Sequence, residues 1–505
     1  MISDAVGSEL ISKIVGYKIV KGNFQNTTPN LPQRIAIIGE ANIANQATLD
    51  TDPFEFTNAQ QVGDKYGYGS PLYLIARILR PVQGGGKVGG IPTIIYPQAG
   101  DGNSKIVELS PTGTATGNGV HTVVIGGRYG LDGESYDIQI EDGDAYADIT
   151  AKIADAVNNV LGCPVTADDY DPTKVVLETK WGGLTANELS VSVDTHGNDL
   201  GITYSTNVTQ PGFGTPTTLQ SSLDMFLNEW NTIVVNSYGT NSTIMNTLET
   251  FNGIPDPTTP TGRYSAILMK PFIALTGSVA DDPSSITDAK KNNVTIAICP
   301  APLSAGFHFE AAANMAALFS RVSQDTPHLD VAGMNYPDMP TPLIIGSMVD
   351  YTFRDSIVKK GCSTVDLKNG AYEVQDFVTT YHPVGEIPPQ FRYCRNIMLD
   401  WNVRYGYYLL ELLYVVNHAI ANDDDVVTAT KVVKPKQWIG VLNKYADDLA
   451  TRALIAEPSF MQSSLTVGIS TSNPDRFETF FRYKRTGFVR IASTTAEAGF
   501  NFGTV

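Results

Sequence analysis

The sequence predicts a mixed α/β and α+β chain of several domains: a layered α/β core, an α+β domain inserted into it, and an extended arm at each end. Three observations predict this. A length of 505 residues exceeds what one ordinary core serves, so two to four domains are expected. Apolar strands such as RIAIIGEA alternate with helix-length segments in two separate stretches, which implies a largely parallel layered sheet. Between about residues 101 and 214 that alternation gives way to period-two strands around one helical segment.

Residues 1–33 end in TTPNLPQ, whose prolines remove donors and disfavour helix, so they read as an extended arm. Residues 34–100 form the first part of the core. RIAIIGEA is a strand, PFEFTNAQQVGDKYGYG a helix capped near Thr57 or Asn58, SPLYLIARIL a second helix with Pro71 in its first turn, and GGIPTIIYPQA a strand. Residues 101–214 are the insertion, with strands in HTVVIGGRYG, ESYDIQIEDG, KVVLETKWGG and NELSVSV and a helix in DAYADITAKIADAVNNVL. Its exit, GITYSTNVTQPGFGTPTT, is rich in Gly, Pro and Thr and marks a boundary.

Residues 215–340 resume the core: LQSSLDMFLNEW, STIMNTLETFNG and FHFEAAANMAALFSRVSQ as helices, and NTIVVNSYG, RYSAILMKP and NNVTIAICP as strands. Residues 341–475 read as a third unit, with YEVQDFVTTYH as a strand, a buried core helix over 402–422 and an amphipathic helix over 435–455 whose inward stripe is Trp438, Leu442, Tyr445 and Leu449. Residues 476–505 are the C-terminal arm.

Composition excludes several function classes. A formal net charge of -17 argues against a nucleic-acid partner, because no region carries the excess of Lys and Arg that displaces counterions. The four cysteines lie far apart without a CxxC pair and read as buried thiols in a reducing compartment. The N-terminus carries Asp4 and Glu9 and no secretory apolar run, so synthesis is expected in the cytoplasm. The most apolar window, YGYYLLELLYVV, contains Glu411 and is shorter than the roughly 20 residues a bilayer requires. No membrane span is expected.

Motifs for chemistry fail on spacing. GDKYGYGSPL offers Gly67 and Gly69 of a dinucleotide fingerprint but has Leu72 at its third glycine, and it follows a helix. GGGK at residues 84–87 has Pro81 and Val88 where a phosphate-binding loop needs Gly and Ser or Thr. DGDAYADITAKI has Ala147 and Ile153 where a calcium loop needs Gly and Glu, so its aspartates read as caps of the following helix. His308 and His418 read as structural, and the other four histidines have no nucleophile nearby. No catalytic residue, cofactor site or metal site is expected, and the chain is not expected to be an enzyme.

With chemistry set aside, the order of segments resembles the tail sheath protein of contractile phages, in particular the Mu-like type, over most of the chain. RIAIIGEA followed by FTNAQQVGDKYGYGSPLYLIARIL resembles that family's opening, with Tyr66 to Ser70 filling its aromatic-glycine turn. The insertion, from GTATGNGVHTVVIGG through LGCPVTADDYDPTKVVLETKWGGLTANELSVSV, is similar in its strand, acidic turn, helix and strand progression. AICPAPLSAGFHFEAAANMAALFS, PHLDVAGMNYPDM and KKGCSTVDLKNGAYEVQDFVTTY follow in the family's order. The sequence departs from it where Gln375 and Asp376 stand in place of an arginine, and in the C-terminal tail.

The resemblance implies a structural subunit that polymerises as stacked hexameric rings around an inner tail tube, within a virion assembled in a bacterial cytoplasm. It implies baseplate and tail terminator proteins as further partners, an outward-facing insertion, and contraction that drives the tube through a host envelope. It also implies linkage by terminal arms that add strands to neighbouring subunits. Arm candidates are Tyr17, Ile19 and Val20 at one end and Phe477, Phe481, Tyr483, Phe488, Val489 and Ile491 at the other. On the residues alone, the C-terminal set fits an ordinary strand of the chain's own sheet equally well. The receiving strand implied is YEVQDFVTTYH, through Val374, Phe377, Val378 and Tyr381. A tube-facing role falls on Lys436, Asn443, Asp447 and Asp448. The rival readings are a non-contractile virion or surface structural protein and, behind it, a nucleotide-dependent enzyme.

Overall fold

A computed structural model of the chain describes residues 29–499 apart from 84, 101 and 388. They fall into two compact units, one of residues 31–403 and 485 onward, the other of residues 404–484 with residues 29 and 30.

The larger unit is organised by a parallel sheet. Its first strand, β1 (Ile35–Gly39, IAIIG), is buried at every position. Strands covered on both faces read as unbroken apolar runs, and burying each Ile or Val stabilises by about 1.5–3 kcal/mol. After the short β2 (Phe54–Glu55), α1 (Ala59–Tyr66) starts where the Asn58 side chain accepts from the Gln61 N–H. Next, α2 (Pro71–Leu79) starts at Ser70, whose hydroxyl accepts from the Tyr73 N–H, with Pro71 in the first turn. The chain then enters β3 (Thr93–Pro97), parallel to β1.

The insertion leaves from β3. It contains β4 (Ser104–Gly113), β5 (Gly119–Ile125), the small β6 (Gly130–Leu131) and β7 (Glu134–Ser135), β8 (Asp137–Ile140), α3 (Tyr146–Asn158), β9 (Val165–Asp168), β10 (Val175–Gly182), β11 (Val191–Asp194) and β12 (Ile202–Gln210). Two antiparallel sheets result, ordered β12-β4-β10-β9 and β11-β5-β8. As the aspartate pattern anticipates, Asp148 accepts from the Ala145 N–H and Asp144 from the Glu141 N–H at the start of α3. The exit differs from expectation: ITYSTNVTQ is a full edge strand on β4, because its β-branched and aromatic residues, Ile202, Thr203, Tyr204, Thr206, Val208 and Thr209, suit a mostly solvated edge ladder. At the neck, Asn103 and Phe213 exchange backbone hydrogen bonds of 2.8 and 3.3 Å.

The chain returns through α4 (Gln220–Asp224), β13 (Ile233–Asn236), α5 (Ser242–Asn252), β14 (Ile273–Ser278), α6 (Ser284–Asp288), β15 (Ile296–Pro300) and α7 (His308–Asp325). The sheet order is β15-β14-β13-β1-β3-β2, parallel throughout except for β2. One expected strand is displaced. RYSAILMKP holds a turn with Ile267 fully exposed, and the strand begins after Pro271. The buried Arg263 guanidinium fixes that turn by donating to the carbonyls of Leu227, Glu229 and Lys270.

α8 (Tyr351–Lys359), β16 (Thr364–Lys368) and β17 (Ala371–Asp376) follow, then α9 (Cys394–Tyr414), within which the chain passes to the smaller unit. Residues 341–403 therefore belong with the core rather than with a third unit. Their aromatic anchors explain it: Phe377 packs on Phe319 of α7, and the Tyr372 hydroxyl donates to the Pro302 carbonyl. The smaller unit holds β18 (Ala419–Ile420), β19 (Val432–Val433), α10 (Pro435–Thr451), β20 (Ile455–Ala456), α11 (Pro458–Ser464), β21 (Thr466–Ile469) and β22 (Phe477–Phe480). Trp438, Leu442, Tyr445 and Leu449 are buried, as their spacing predicts. The expected core helix over 402–422 is corrected: α9 ends at Tyr414, and Tyr408, Leu412, Leu413, Tyr414 and Val416 are 40–62% exposed.

Candidate functional site

A cleft of about 420 Å³ lies at the carboxyl ends of β1, β13 and β14, lined by Glu40, Glu188, Tyr238, Gly277 and His308 among others. Doubly wound sheets hold ligands at such a place, where the strand order reverses. Here carboxylates stand at the position a phosphate would take. His308, on the first turn of α7, spends both ring nitrogens, one on Glu188 at 2.6 Å and one on the Ser237 carbonyl at 2.9 Å. Both partners are acceptors, so the ring is a doubly donating imidazolium. Burial opposes that charge most strongly, but Glu188, the Ser237 carbonyl and Glu310 together outweigh it and raise the imidazole pKa. His308 is therefore a tie between the insertion and the core.

A second tie lies close by in sequence. Arg77 of α2 reaches Asp132 at 3.1 Å and Asp338 at 2.8 Å, while Arg128 reaches the fully buried Glu310 at 2.9 Å. Burial works against the Arg77 guanidinium, yet Asp338, Glu310 and Asp132 together keep it charged. One glycine of GDKYGYGSPL serves the junction of core and insertion. Gly69 has φ +80°, and a Cβ there would lie 2.1 Å from the Cys163 carbonyl oxygen of the insertion. Its sequence signal, two glycines between capped helices, was visible, but the Cys163 contact requires the tertiary fold.

The cysteines offer no nucleophile, since burial pushes the thiols of Cys163, Cys299, Cys362 and Cys394 up. Among the described residues, no three His, Cys, Asp or Glu side chains are grouped to hold a metal, and no helix is long and apolar enough to cross a membrane.

The C-terminal arm candidates separate into two groups. Phe477 lies in β22, paired with Ile469 of β21, and Phe481 packs its ring 5.4 Å from Tyr407 and 6.3 Å from Tyr483 within the smaller unit. Phe488, Val489 and Ile491 lie along the larger unit, where Val489 and Ile491 are 82% and 84% exposed while Phe488 turns toward Arg395. Tyr17, Ile19 and Val20 fall outside the described residues.

The receiving candidates meet a strand that is already paired. β17 runs against β16 on one side, and on the other Val374 exchanges backbone hydrogen bonds with the segment Gly333 to Met334. Val374, Phe377 and Val378 are buried in the chain's own core, and Tyr381 donates to Glu386 at 2.6 Å. An added strand finds no open edge there, because the donors of Val378, Thr379 and Thr380 are spent on Ser363, Arg392 and Ile296.

On α10, Lys436 and Asp447 are exposed, whereas Asp448 is paired with Arg452 at 3.4 Å and Asn443 is half-buried. Asp447 also accepts from Gln462 of α11 at 2.9 Å. The solvent face of this helix runs instead through Lys436, Gly440, Lys444, Asp447 and Thr451.

Sequence reasoning missed the anchoring of the tail. Arg485 makes a two-pronged ion pair with Asp400 at 2.8 and 2.5 Å, and Arg490 pairs with Asp330, lies 3.7 Å from Asp376 and stacks over Tyr393. Arginines in a basic tail carry no mark in sequence of which carboxylates they meet.

No family model matches the chain, and no curated protein matches it. Among solved structures, a sheath tail protein from Desulfitobacterium hafniense is similar at 10% identity, with a TM-score of 0.45, over 93% of this chain and 100% of its own. A sheath tail protein from Listeria innocua is similar at 11% identity, with a TM-score of 0.46, over 91% of this chain and 93% of its own. A chain of the anti-feeding prophage baseplate is similar at 12% identity, with a TM-score of 0.38, over 57% of this chain and 76% of its own.

Proposed function

We propose that the chain is a structural subunit of a contractile tail sheath, which polymerises as stacked six-fold rings around an inner tube and meets a baseplate and a terminator at its ends. The observation that carries this reading is the C-terminal segment. It runs extended along the larger unit with Val489 and Ile491 in solvent, and among the described residues 486–499 make no backbone-to-backbone hydrogen bond. A solitary globule gains little from such a segment. A polymer gains a linker that pairs with a neighbour's strand edge.

The collinear resemblance of RIAIIGEA, the inserted domain and DFVTTY to sheath proteins of the Mu-like type supports the same reading. An open edge for an added strand exists at the β21–β22 hairpin, whose outer edges are unpaired among the described residues. A sheath needs rigid blocks joined by tethers that survive sliding, and His308, Arg77 and Arg128 supply the rigidity by tying the insertion to the core. In this reading the driving energy lies in subunit contacts that differ between an extended and a compact lattice.

Electron microscopy of the purified protein tests it. Helical tubes or six-fold rings are expected. A persistent monomer whose thermal stability rises with nucleotide would refute it. Deletion of residues 484–505 is expected to abolish tubes while leaving a folded monomer, and normal tubes from that deletion would refute the linker role.

A further inference from the structure

The C-terminal segment is held to its own chain in an unusual way. Residues 487 to 491 alternate between exposed and half-buried, the pattern of a strand, yet no ladder accompanies it among the described residues. Side chains do the holding. Arg485 grips Asp400 with two nitrogens and donates a third to the Gln390 carbonyl at 2.9 Å. Arg395 donates to the Thr486 carbonyl at 2.8 Å. Arg490 closes the far end on Asp330, whose side chain is 2% exposed, and lies against Tyr393 and the Phe488 ring.

We propose that Asp330, Asp376 and Asp400 form a receptor groove for a basic extended segment, which the free chain fills with its own residues 485–491, withholding that segment from other chains until both arginine clamps open. Three features support this. The carboxylates are spaced along one track, each meeting an arginine of the same short segment. The groove also supplies aromatic faces for both guanidinium groups, Phe391 under Arg485 and Tyr393 under Arg490. Finally, beyond Arg485, whose backbone ends a short strand, residues 486–491 carry no ladder among the described residues, so freeing them sacrifices charge pairs and occupancy responds to ionic strength. What the released segment then binds rests on the sheath reading; the clamp does not.

The test uses the full chain and chymotryptic cleavage at Phe488, under conditions where cleavage follows the open population. Raising salt from about 0.05 to about 0.5 M is expected to speed cleavage several-fold. Arg485→Glu and Asp400→Arg are each expected to speed it on the order of tenfold or more, and combining them should restore slow cleavage by rebuilding the pair with its charges exchanged. Should Asp400→Arg fail to fold, Arg490→Ala, in the tail itself, is expected to give the same acceleration. Cleavage indifferent to salt and to the tail variants, or a double variant as open as the singles, would overturn the proposal. Absence of tubes from the wild-type chain would count against the sheath reading alone.

Discussion

The His308 imidazole donates to the Glu188 carboxylate across 2.6 Å, joining the first turn of α7 to the inserted domain. Its other nitrogen is held by the Ser237 carbonyl beyond the end of β13. One ring thus ties three segments that are far apart in the chain.

That ring makes stability depend on pH. Its folded-state pKa is raised above the unfolded value of about 6.5, so its contribution is fully present below that value and is lost as pH rises through the folded pKa. Melting temperature is expected to fall as pH is raised above about 7 more steeply in the wild type than in His308→Gln. Parallel melting curves for the two proteins would contradict the tie.

Gly69→Ala places a methyl group 2.1 Å from the Cys163 carbonyl at a φ of +80°. The expected loss is about 2 kcal/mol or more, because backbone atoms of two packed elements have to separate. Gly90→Ala, with nothing within 4 Å, is the control and should change stability by less than about 0.5 kcal/mol. Denaturant unfolding of the two variants measures the difference.

Glu310→Ala removes the buried partner of Arg128, and the guanidinium it leaves is mostly shielded from water. Breaking such a pair from one side costs about 3–5 kcal/mol. Glu310→Ala is therefore expected to destabilise more than Lys359→Ala, which removes an exposed pair with Asp355.

Trp438→Ala empties the centre of the smaller unit, where the indole packs near Tyr407 and Tyr414 and donates to the Thr479 hydroxyl at 3.1 Å. A cost of about 3–5 kcal/mol is expected. Hydrogen exchange should show α10 and β22 losing protection, while β1 and β13 keep theirs.

Periodic apolar segments were the legible part of this chain. IAIIG, IVVN and the repeat of α10 announce their burial because one local pattern fits only one environment, and Asn58 and Ser70 announce helix starts through their own side chains. The strand misplaced at RYSAILMKP was apolar without being covered, a distinction that depends on what lies above it. The same limit applied to α9, whose end is as apolar as a core helix yet faces solvent. For the candidate sites, exposure of Val489 and Ile491 suits the extended arm the sequence suggested. The crowding of β17 by residues 333–336 could not be read, since segments some forty residues apart meet there.

The neck at Asn103 and Phe213 bears on how the chain reaches this fold. β1 has to find β13 across about 200 residues, a closure whose entropic cost grows with the logarithm of loop length. An insertion that folds by itself draws Asn103 and Phe213 together and shortens the loop left to close to the residues outside that neck. Were the inserted domain to collapse first, it would act as a folding aid for the sheet it interrupts and set the order in which the two halves of that sheet meet.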